Sequence, residues 1–297
     1  MKERIKDILA FALICSIWGS TWLAIKTSLF SLTPMFSSGF RFCIASIAIF
    51  IIVKIRKIEI HSDKTSLKLY LFMGFFSFVI PYGLIYWAEQ FVPSGLTSVL
   101  FAVYPFFVLL FSYLLIPNEK IGFYKVFGII LGFGGILVIF SDNLGGNISS
   151  YLIGMIVIVL SGILQALVSV IIKKHGFYLN PLSMNLIPMT IAGIFLTLAG
   201  FLMEDFSQLK FDSTAILSVL YLAIFGSIVT FTSYYWLLKR ISVVILSLIA
   251  FINPVIALVL GAIVYSEKLS SENLWGSVLV LTGLLWANLE NIKKRPV

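Results

Sequence analysis

The two halves of this chain carry the same residues in the same order, which restricts the possible fold more than any single motif does. Matching pairs recur at offsets of 147 to 149 residues: Lys26 and Lys173, Pro34 and Pro181, Tyr86 and Tyr235, Pro105 and Pro254, and Glu119-Lys120 and Glu267-Lys268. The offset changes only in predicted loops, where insertions are tolerated. The pattern predicts two tandem copies of one unit, over residues 1–145 and 146–297.

The composition places both copies in a lipid bilayer. Hydrophobic residues make up 60% of the chain, charged residues only 11%, and the mean hydropathy is +1.06, whereas soluble domains are about 25% charged. Apolar runs near the ~20 residues needed to cross the hydrocarbon core lie at about 7–28, 35–53, 68–88, 94–116, 122–140, 151–172, 182–203, 214–238, 243–265 and 273–290. The sequence predicts an all-α integral membrane protein with ten transmembrane helices, and it leaves no stretch for a soluble enzyme domain.

The basic residues set the predicted orientation. The net charge of +8 is explained by the tendency of Lys and Arg to gather in cytoplasmic loops, so no nucleic-acid partner is expected. If the N-terminus is cytoplasmic, ten helices place most of the 21 Lys and Arg residues inside. Both termini are then cytoplasmic, at the inner membrane. Because five helices per copy is an odd number, the two repeats must be inverted relative to each other.

Inverted repeats are typical of carriers that work by alternating access, with a substrate site near the midplane between the copies. Pro105 and Pro254 fall within the fourth and ninth predicted helices, and each removes a backbone donor. We expect these two prolines to permit the bending that gates the carrier. A plain structural kink is the alternative at either position.

Several short motifs together resemble one known family. They are Trp18-Gly19-Ser20-Thr21-Trp22 with Lys26, Pro34 followed by Arg41-Phe42, and a Pro-to-Glu-to-Gly pattern ending each half. Over nearly its whole length, the chain resembles the EamA branch of the drug/metabolite transporter superfamily. The resemblance implies an inner-membrane carrier, often an exporter of amino acids or related metabolites, with a cavity between the halves.

The candidate substrate-binding residues form two groups around that cavity. An apolar wall is expected from Trp18, Trp22, Tyr82 and Tyr86. A polar wall is expected from Gln165, Ser169, Thr230, Tyr234 and Asn253, with Tyr104 at the position equivalent to Asn253. Two alternatives stay open: Trp22 is an anchor at the membrane interface, and the hydroxyls bond their own helix backbone.

Arg41 lies within the second predicted helix, where a cation is costly and therefore suggests a function. It is expected to contact a substrate carboxylate or to take part in gating. The alternatives are a salt bridge to Glu89 and snorkelling to the headgroups. Since no acid falls in the central third of any predicted helix, Glu89 is the one candidate proton carrier. The sequence therefore favours facilitated flux and disfavours antiport of cationic drugs.

These observations predict a carrier for an amino acid or an amphipathic organic anion, working in export. One alternative is an uptake or exchange carrier for nucleobases, nucleosides or adenosyl metabolites, whose flat rings also stack on tryptophan. An alternative of another class is a membrane sensor or scaffold that transports nothing. Neither enzymatic activity nor a cofactor is expected, because both His residues fall in loops and Cys15 and Cys43 have no metal-ligand spacing. The glycines of the fifth and tenth helices favour packing within a monomer, with a homodimer as the alternative.

Overall fold

The computed structural model describes residues 2–116, 122–141, 150–247 and 249–293, and within these ranges the chain contains helices and no strands. The helices of the first half are α1 (Lys2–Ser28), α2 (Pro34–Ile55), α3 (Lys64–Met73), α4 (Ile80–Ala88), α5 (Ser94–Phe101), α6 (Tyr104–Leu115) and α7 (Phe123–Ser141). Those of the second half are α8 (Ser150–His175), α9 (Ser183–Met203), α10 (Ser213–Ala223), α11 (Thr230–Arg240), α12 (Val243–Leu246), α13 (Ile249–Tyr265) and α14 (Ser271–Lys293).

Most of the predicted apolar runs are helical units long enough to cross a membrane. Across the described residues there are eight such units, and a shorter apolar helix covers Ile252–Tyr265. The first eight predicted runs correspond to these eight units, while α13 and α14 cover the ninth and tenth. The all-helical membrane fold is therefore confirmed, and the count of ten spans stays a prediction.

The two halves share an unpredicted irregularity. A π-helical segment, Gly74–Val79, joins α3 to α4, and another, Ile224–Val229, joins α10 to α11. The two segments occupy equivalent places in the repeats. A π segment inserts one residue into the α-helical hydrogen-bond pattern and often marks a functional site.

Packing between the halves follows the same pattern in both directions. Helix α2 packs against α9, and α7 packs against α14. Helix α1 packs against α10, α11 and α13, while α8, its equivalent, packs against α3, α4 and α6. These contacts of α1 and α8 are therefore equivalent, which places α1 and α8 between the halves.

Two equivalent lysines bind the ends of equivalent helices. Lys26 Nζ donates to the backbone carbonyl of Glu89 at 2.5 Å, just after α4. Lys173 Nζ donates to the carbonyls of Leu238 and Ile241, the latter at 2.8 Å, at the end of α11. In both halves the ammonium therefore satisfies helix-terminal carbonyls that have no partner within the helix.

Acidic side chains bind helix N-termini across the halves. Glu204 accepts from the backbone N–H groups of Met35 and Phe36 at the start of α2. Glu267 accepts from those of Ser94 and Gly95 at the start of α5. Both carboxylates meet free N–H groups and the positive end of a helix dipole. The first-half mates of Glu267-Lys268, Glu119 and Lys120, lie outside the described residues, as does the predicted boundary between the repeats.

The fifth helix of each half packs closely against the other. A Cβ built on Gly135 of α7 would lie 2.6 Å from the carbonyl oxygen of Gly276, and one on Gly128 would lie 2.4 Å from that of Gly283. These glycines allow the α7 and α14 backbones to approach. The glycine-lined faces of α7 and α14 therefore pack against each other within one chain.

Candidate functional site

A cavity lies between the two halves, at the level of the π-helical segments. The space inside it, including the part open to solvent, is about 770 Å³. Nine of the eleven residues that the sequence proposed for substrate binding line it: Trp18, Trp22, Arg41, Tyr82, Tyr104, Gln165, Ser169, Tyr234 and Asn253. Helices from both repeats therefore line one cavity.

Arg41 is the one charged side chain among the described residues that line the cavity. It projects from α2 and is 1% exposed. Its Nε donates to Ser227 Oγ at 2.9 Å, Nη2 to the carbonyl of Gly226 at 3.0 Å and Nη1 to Tyr86 Oη at 3.3 Å. The guanidinium also lies 4.9 Å from the ring centroid of Tyr82. All of these partners are neutral, so they orient the guanidinium without balancing its charge.

Neither structural alternative for Arg41 fits this arrangement. The side chain is buried, so it does not snorkel to the headgroups. The carboxyl of Glu89 makes no hydrogen bond in the part of the chain that is described, so the expected Arg41–Glu89 salt bridge is absent there. Ser227 and Gly226 belong to the second-half π segment. This irregular stretch therefore supplies a carbonyl and a hydroxyl to the cation.

Aromatic rings cover much of the remaining wall. The ring of Trp18 packs edge-on against Phe231 at 5.0 Å, and its Nε1 donates to the carbonyl of Gly226 at 3.3 Å. Trp22 packs at 5.4 Å against Phe101. Because Trp22 is 8% exposed, it is not a lipid-facing anchor. Its Nε1 has no hydrogen-bond partner among the described residues, and an unused donor at a cavity is suited to a ligand acceptor.

Three hydroxyls, one from the first half and two from the second, form a closed hydrogen-bonded triangle. Tyr104 Oη lies 2.9 Å from Ser169 Oγ and 2.7 Å from Tyr234 Oη, while Tyr234 Oη lies 3.1 Å from Ser169 Oγ. Nearby, Ser77 Oγ donates to Gln165 Oε1 at 3.2 Å. Hydroxyls both donate and accept. This side of the cavity therefore offers hydrogen bonds of either sense.

Asn253 joins the polar wall at its edge. With its amide nitrogen facing the backbone, it donates to the carbonyls of Cys15 at 3.2 Å and Ile249 at 3.1 Å. The nitrogen thus holds α13 against α1. The proline that follows, Pro254, lies inside α13, whereas Pro105 is the second residue of α6, directly after the break between α5 and α6. The two prolines are therefore not equivalent in backbone geometry.

Two proposed residues do not line the cavity. Tyr86 lies behind Arg41 and accepts its hydrogen bond. Thr230 is fully buried, and its hydroxyl has no partner among the described residues. Thr230 therefore does not contribute to the lining of this cavity, whereas Tyr234, one helical turn later, does.

Sequence reasoning also missed residues that line the cavity, most clearly Ser77, Phe101 and Phe231. Phe231 is the repeat mate of Tyr82, and Phe101 is the repeat mate of Ala250, which lines the cavity too. Applying the repeat offset to every proposed residue would have found Phe231. Ser77 lies in a π segment, and no simple sequence pattern indicated that segment.

Comparisons with known proteins agree with this architecture. The model of the EamA-like transporter family matches twice, at residues 5–141 and 152–289. YoaV of Bacillus subtilis (strain 168), named an uncharacterized transporter, is 27% identical over 94% of this chain and 96% of its own length. YedA of Escherichia coli (strain K12), named an uncharacterized inner membrane transporter, is 31% identical over 86% of this chain and 81% of its own. One solved crystal structure superposes with a TM-score of 0.73 at 17% identity, covering 98% of this chain and 99% of that one, which shows the fold alone.

Proposed function

Because the chain belongs to the EamA-like transporter family, we propose that it carries a small carboxylate-bearing metabolite, an amino acid or an amphipathic organic anion, through the cavity between its halves. The family and the multi-pass helical fold make it a membrane transporter. The inner membrane is the proposed location, as in the name of YedA. The proposed direction is export, driven by the concentration gradient of the substrate itself.

The observation that carries the proposal is the isolated charge of Arg41. A buried cation without an opposite charge is unfavourable, and the partners of Arg41 are two hydroxyls and a carbonyl. A carboxylate that entered the cavity would supply the missing negative charge through short, charge-assisted hydrogen bonds. Arg41 therefore favours an anionic group on the substrate.

The aromatic side chains support an amphipathic substrate. Trp18, Trp22 and Phe231 present rings to the cavity. Packing of such rings against another apolar or flat group is energetically favourable. The hydroxyl triangle on the other side provides donors and acceptors for a polar substituent. A molecule with a carboxylate and an apolar body fits both features.

Alternating access provides the proposed mechanism. Helices α1 and α8 lie between the halves and make equivalent contacts, which supports two inverted five-helix repeats. Ten spans with both termini cytoplasmic belong to the same proposal and rest on the apolar runs and on the distribution of Lys and Arg. Rocking one repeat against the other would expose the cavity to each side in turn. The break before Pro105 and the proline within α13 would let the fourth and ninth helices bend in this motion.

Counterflow in proteoliposomes tests the proposal with four probes: phenylalanine, phenylpyruvate, phenylethylamine and adenine. The first three share a phenyl ring and differ in charge. Phenylalanine carries a carboxylate and an ammonium, phenylpyruvate carries the carboxylate alone, and phenylethylamine carries the ammonium alone. We expect counterflow of phenylalanine, phenylpyruvate or both, and none of phenylethylamine. Adenine counterflow without the carboxylates would favour the nucleobase alternative, and no counterflow of any probe would contradict the proposal in favour of a sensor or scaffold.

Two variants assign the flux to the cavity. Arg41→Ala should abolish carboxylate counterflow, and Trp18→Ala should weaken it, since each removes a contact to the substrate. The matched controls are Arg56→Ala and Trp275→Ala, because Arg56 is an exposed arginine and Trp275 is 68% exposed. If both cavity variants transport as the controls do, the substrate is bound elsewhere.

A further inference from the structure

A second ionisable group lies behind the cavity, and we propose that Glu89 is a proton-binding site whose charge is coupled to the anion site at Arg41. The anion site rests on the proposed function, but proton binding by Glu89 does not. Glu89 follows the last residue of α4, just outside the apolar span Lys64–Ala88.

The carboxyl of Glu89 is buried and unpaired. The residue is 0% exposed, and neither carboxyl oxygen hydrogen-bonds to any described residue. An ionised carboxylate in such a place is strongly unfavourable, and a buried acid of this kind normally binds a proton instead. Burial raises the pKa of Glu89 well above its usual value, by more than the positive charges of Lys26 and Arg41 lower it, and Glu267 raises it further.

The charged neighbours of Glu89 are engaged elsewhere. Lys26 donates to the backbone carbonyls of Glu89 and Val92, at 2.5 and 3.5 Å, rather than to the carboxyl. Glu267 accepts three hydrogen bonds from the start of α5, two from Ser94 and one from Gly95. The carboxyl of Glu267 therefore already has its hydrogen-bond donors at the start of α5, and neither neighbour neutralises Glu89 by a direct bond.

The second half of the chain shows whether the carboxyl of Glu89 is needed for the structural contact between the lysine and the helix end. Lys173 is the mate of Lys26, and it binds the end of α11 through the carbonyls of Leu238 and Ile241. The residue equivalent to Glu89 is Leu238. Since the same contact forms around an apolar side chain, the lysine does not need an acid there. The carboxyl of Glu89 is an added feature of the first half.

Tyr86 connects this acid to the cavity. It lies three residues before Glu89, so both project from neighbouring positions on one face. Tyr86 Oη accepts a hydrogen bond from Arg41 Nη1 at 3.3 Å, and the phenol is fully buried. The electrostatic influence of Arg41 on Glu89 is direct as well, since its positive charge lowers the pKa of the carboxyl. Ionisation of Glu89 and the charge of Arg41 are thus interdependent.

The sign of the coupling follows from the charges. When Glu89 is neutral, the positive charge of Arg41 is available to an anionic ligand. When Glu89 is ionised, its negative charge competes with that ligand. Anion binding should therefore tighten as pH falls, and by reciprocity a bound anion should raise the proton affinity of Glu89. Proton binding at Glu89 and anion binding at Arg41 would then favour each other.

Infrared titration of the purified protein without substrate tests the site, because a protonated carboxyl has its own C=O stretch. We expect this signal to persist at neutral pH in the wild type and to be reduced equally in Glu89→Gln and Glu89→Leu, the latter carrying the residue of the second half. Glu59→Gln is the matched control, since Glu59 is exposed and should leave the neutral-pH signal unchanged. A wild type without the signal, or Glu89 variants that keep it, would overturn proton binding by Glu89.

The link to Arg41 is tested in the same measurement. Arg41→Gln removes a positive charge that lowers the pKa of Glu89, so the midpoint of the Glu89 signal should move to higher pH by about one unit or more. Arg41→Lys keeps the charge and should move it less. An unmoved midpoint in Arg41→Gln would overturn the coupling. Because no substrate is added, these results are independent of the counterflow panel that tests the proposed function.

Discussion

At the scale of single residues, Ser169 and Thr230 show that the surroundings of a hydroxyl decide its role. The sequence proposed both for the polar wall. Ser169 lines the cavity and hydrogen-bonds to Tyr104 and Tyr234. Thr230 is buried outside the cavity, and its Oγ1 has no partner in the described ranges. The first hydroxyl belongs to a network, whereas the second is a buried polar group without compensation.

Replacing the hydroxyl of Thr230 by a methyl group should therefore cost nothing. Valine has the same shape, and removing an unpaired buried polar group is neutral or stabilising, by about 1 kcal/mol. We expect Thr230→Val to unfold at the same temperature as the wild type or higher, with unchanged counterflow. Ser169→Ala is the comparison, because it leaves Tyr104 and Tyr234 without a shared partner and should lower the melting temperature. A less stable Thr230→Val would show that its hydroxyl has a partner.

At the scale of helices, hydropathy and repeat spacing predicted the helical units, because an apolar run of sufficient length can satisfy its backbone in lipid only as a helix. Helical spacing proposed Trp18 and Tyr234, and a charge within a predicted membrane helix proposed Arg41; all three line one cavity. The π segments before Pro81 and Thr230 were not predicted. One inserted residue changes the local backbone while leaving composition unchanged, so no sequence pattern indicated Ser77, which lies inside such a segment. The burial of Glu89 depends on helices distant in sequence, which local patterns do not report.

The packing of α7 against α14 makes a prediction at this scale. A Cβ on Gly135 would lie 2.6 Å from the carbonyl oxygen of Gly276 and 2.7 Å from the backbone nitrogen of Val280. Backbone atoms cannot move aside as a flexible side chain can, so Gly135→Ala should destabilise the protein by about 1–3 kcal/mol.

The adjacent glycine is the matched control. A Cβ on Gly134 meets no atom within 4 Å, and alanine is a better helix former than glycine. Gly134→Ala should therefore keep or slightly raise the melting temperature in detergent, while Gly135→Ala lowers it. Equal melting temperatures would mean that the two helices are not in close contact in the membrane protein.

At the scale of the whole molecule, the loops at the two ends of α2 indicate that the two repeats are inverted relative to each other. At its N-terminal end, Glu204 binds the backbone N–H groups of Met35 and Phe36. There the backbone N–H of Lys210 also donates to the backbone carbonyl of Ser31 at 2.8 Å. Past its C-terminal end, the ring of His61 contacts that of Tyr178 at 5.6 Å. The loop after α9 and the loop after α2 therefore lie at opposite ends of one helix of 22 residues, whose length of about 33 Å matches the hydrocarbon core.

The positions of Glu59 and Gln208 allow the inverted topology to be tested by labelling. The two residues are equivalent under the repeat offset of 149, and both are exposed. If the repeats are inverted, equivalent loops face opposite sides of the membrane. With Cys15 and Cys43 replaced by serine, Glu59→Cys should react with a membrane-impermeant maleimide only in inside-out vesicles, and Gln208→Cys only in intact cells. Labelling of both cysteines from one side would rule out inverted repeats, and with them the exchange of conformations on which alternating access depends.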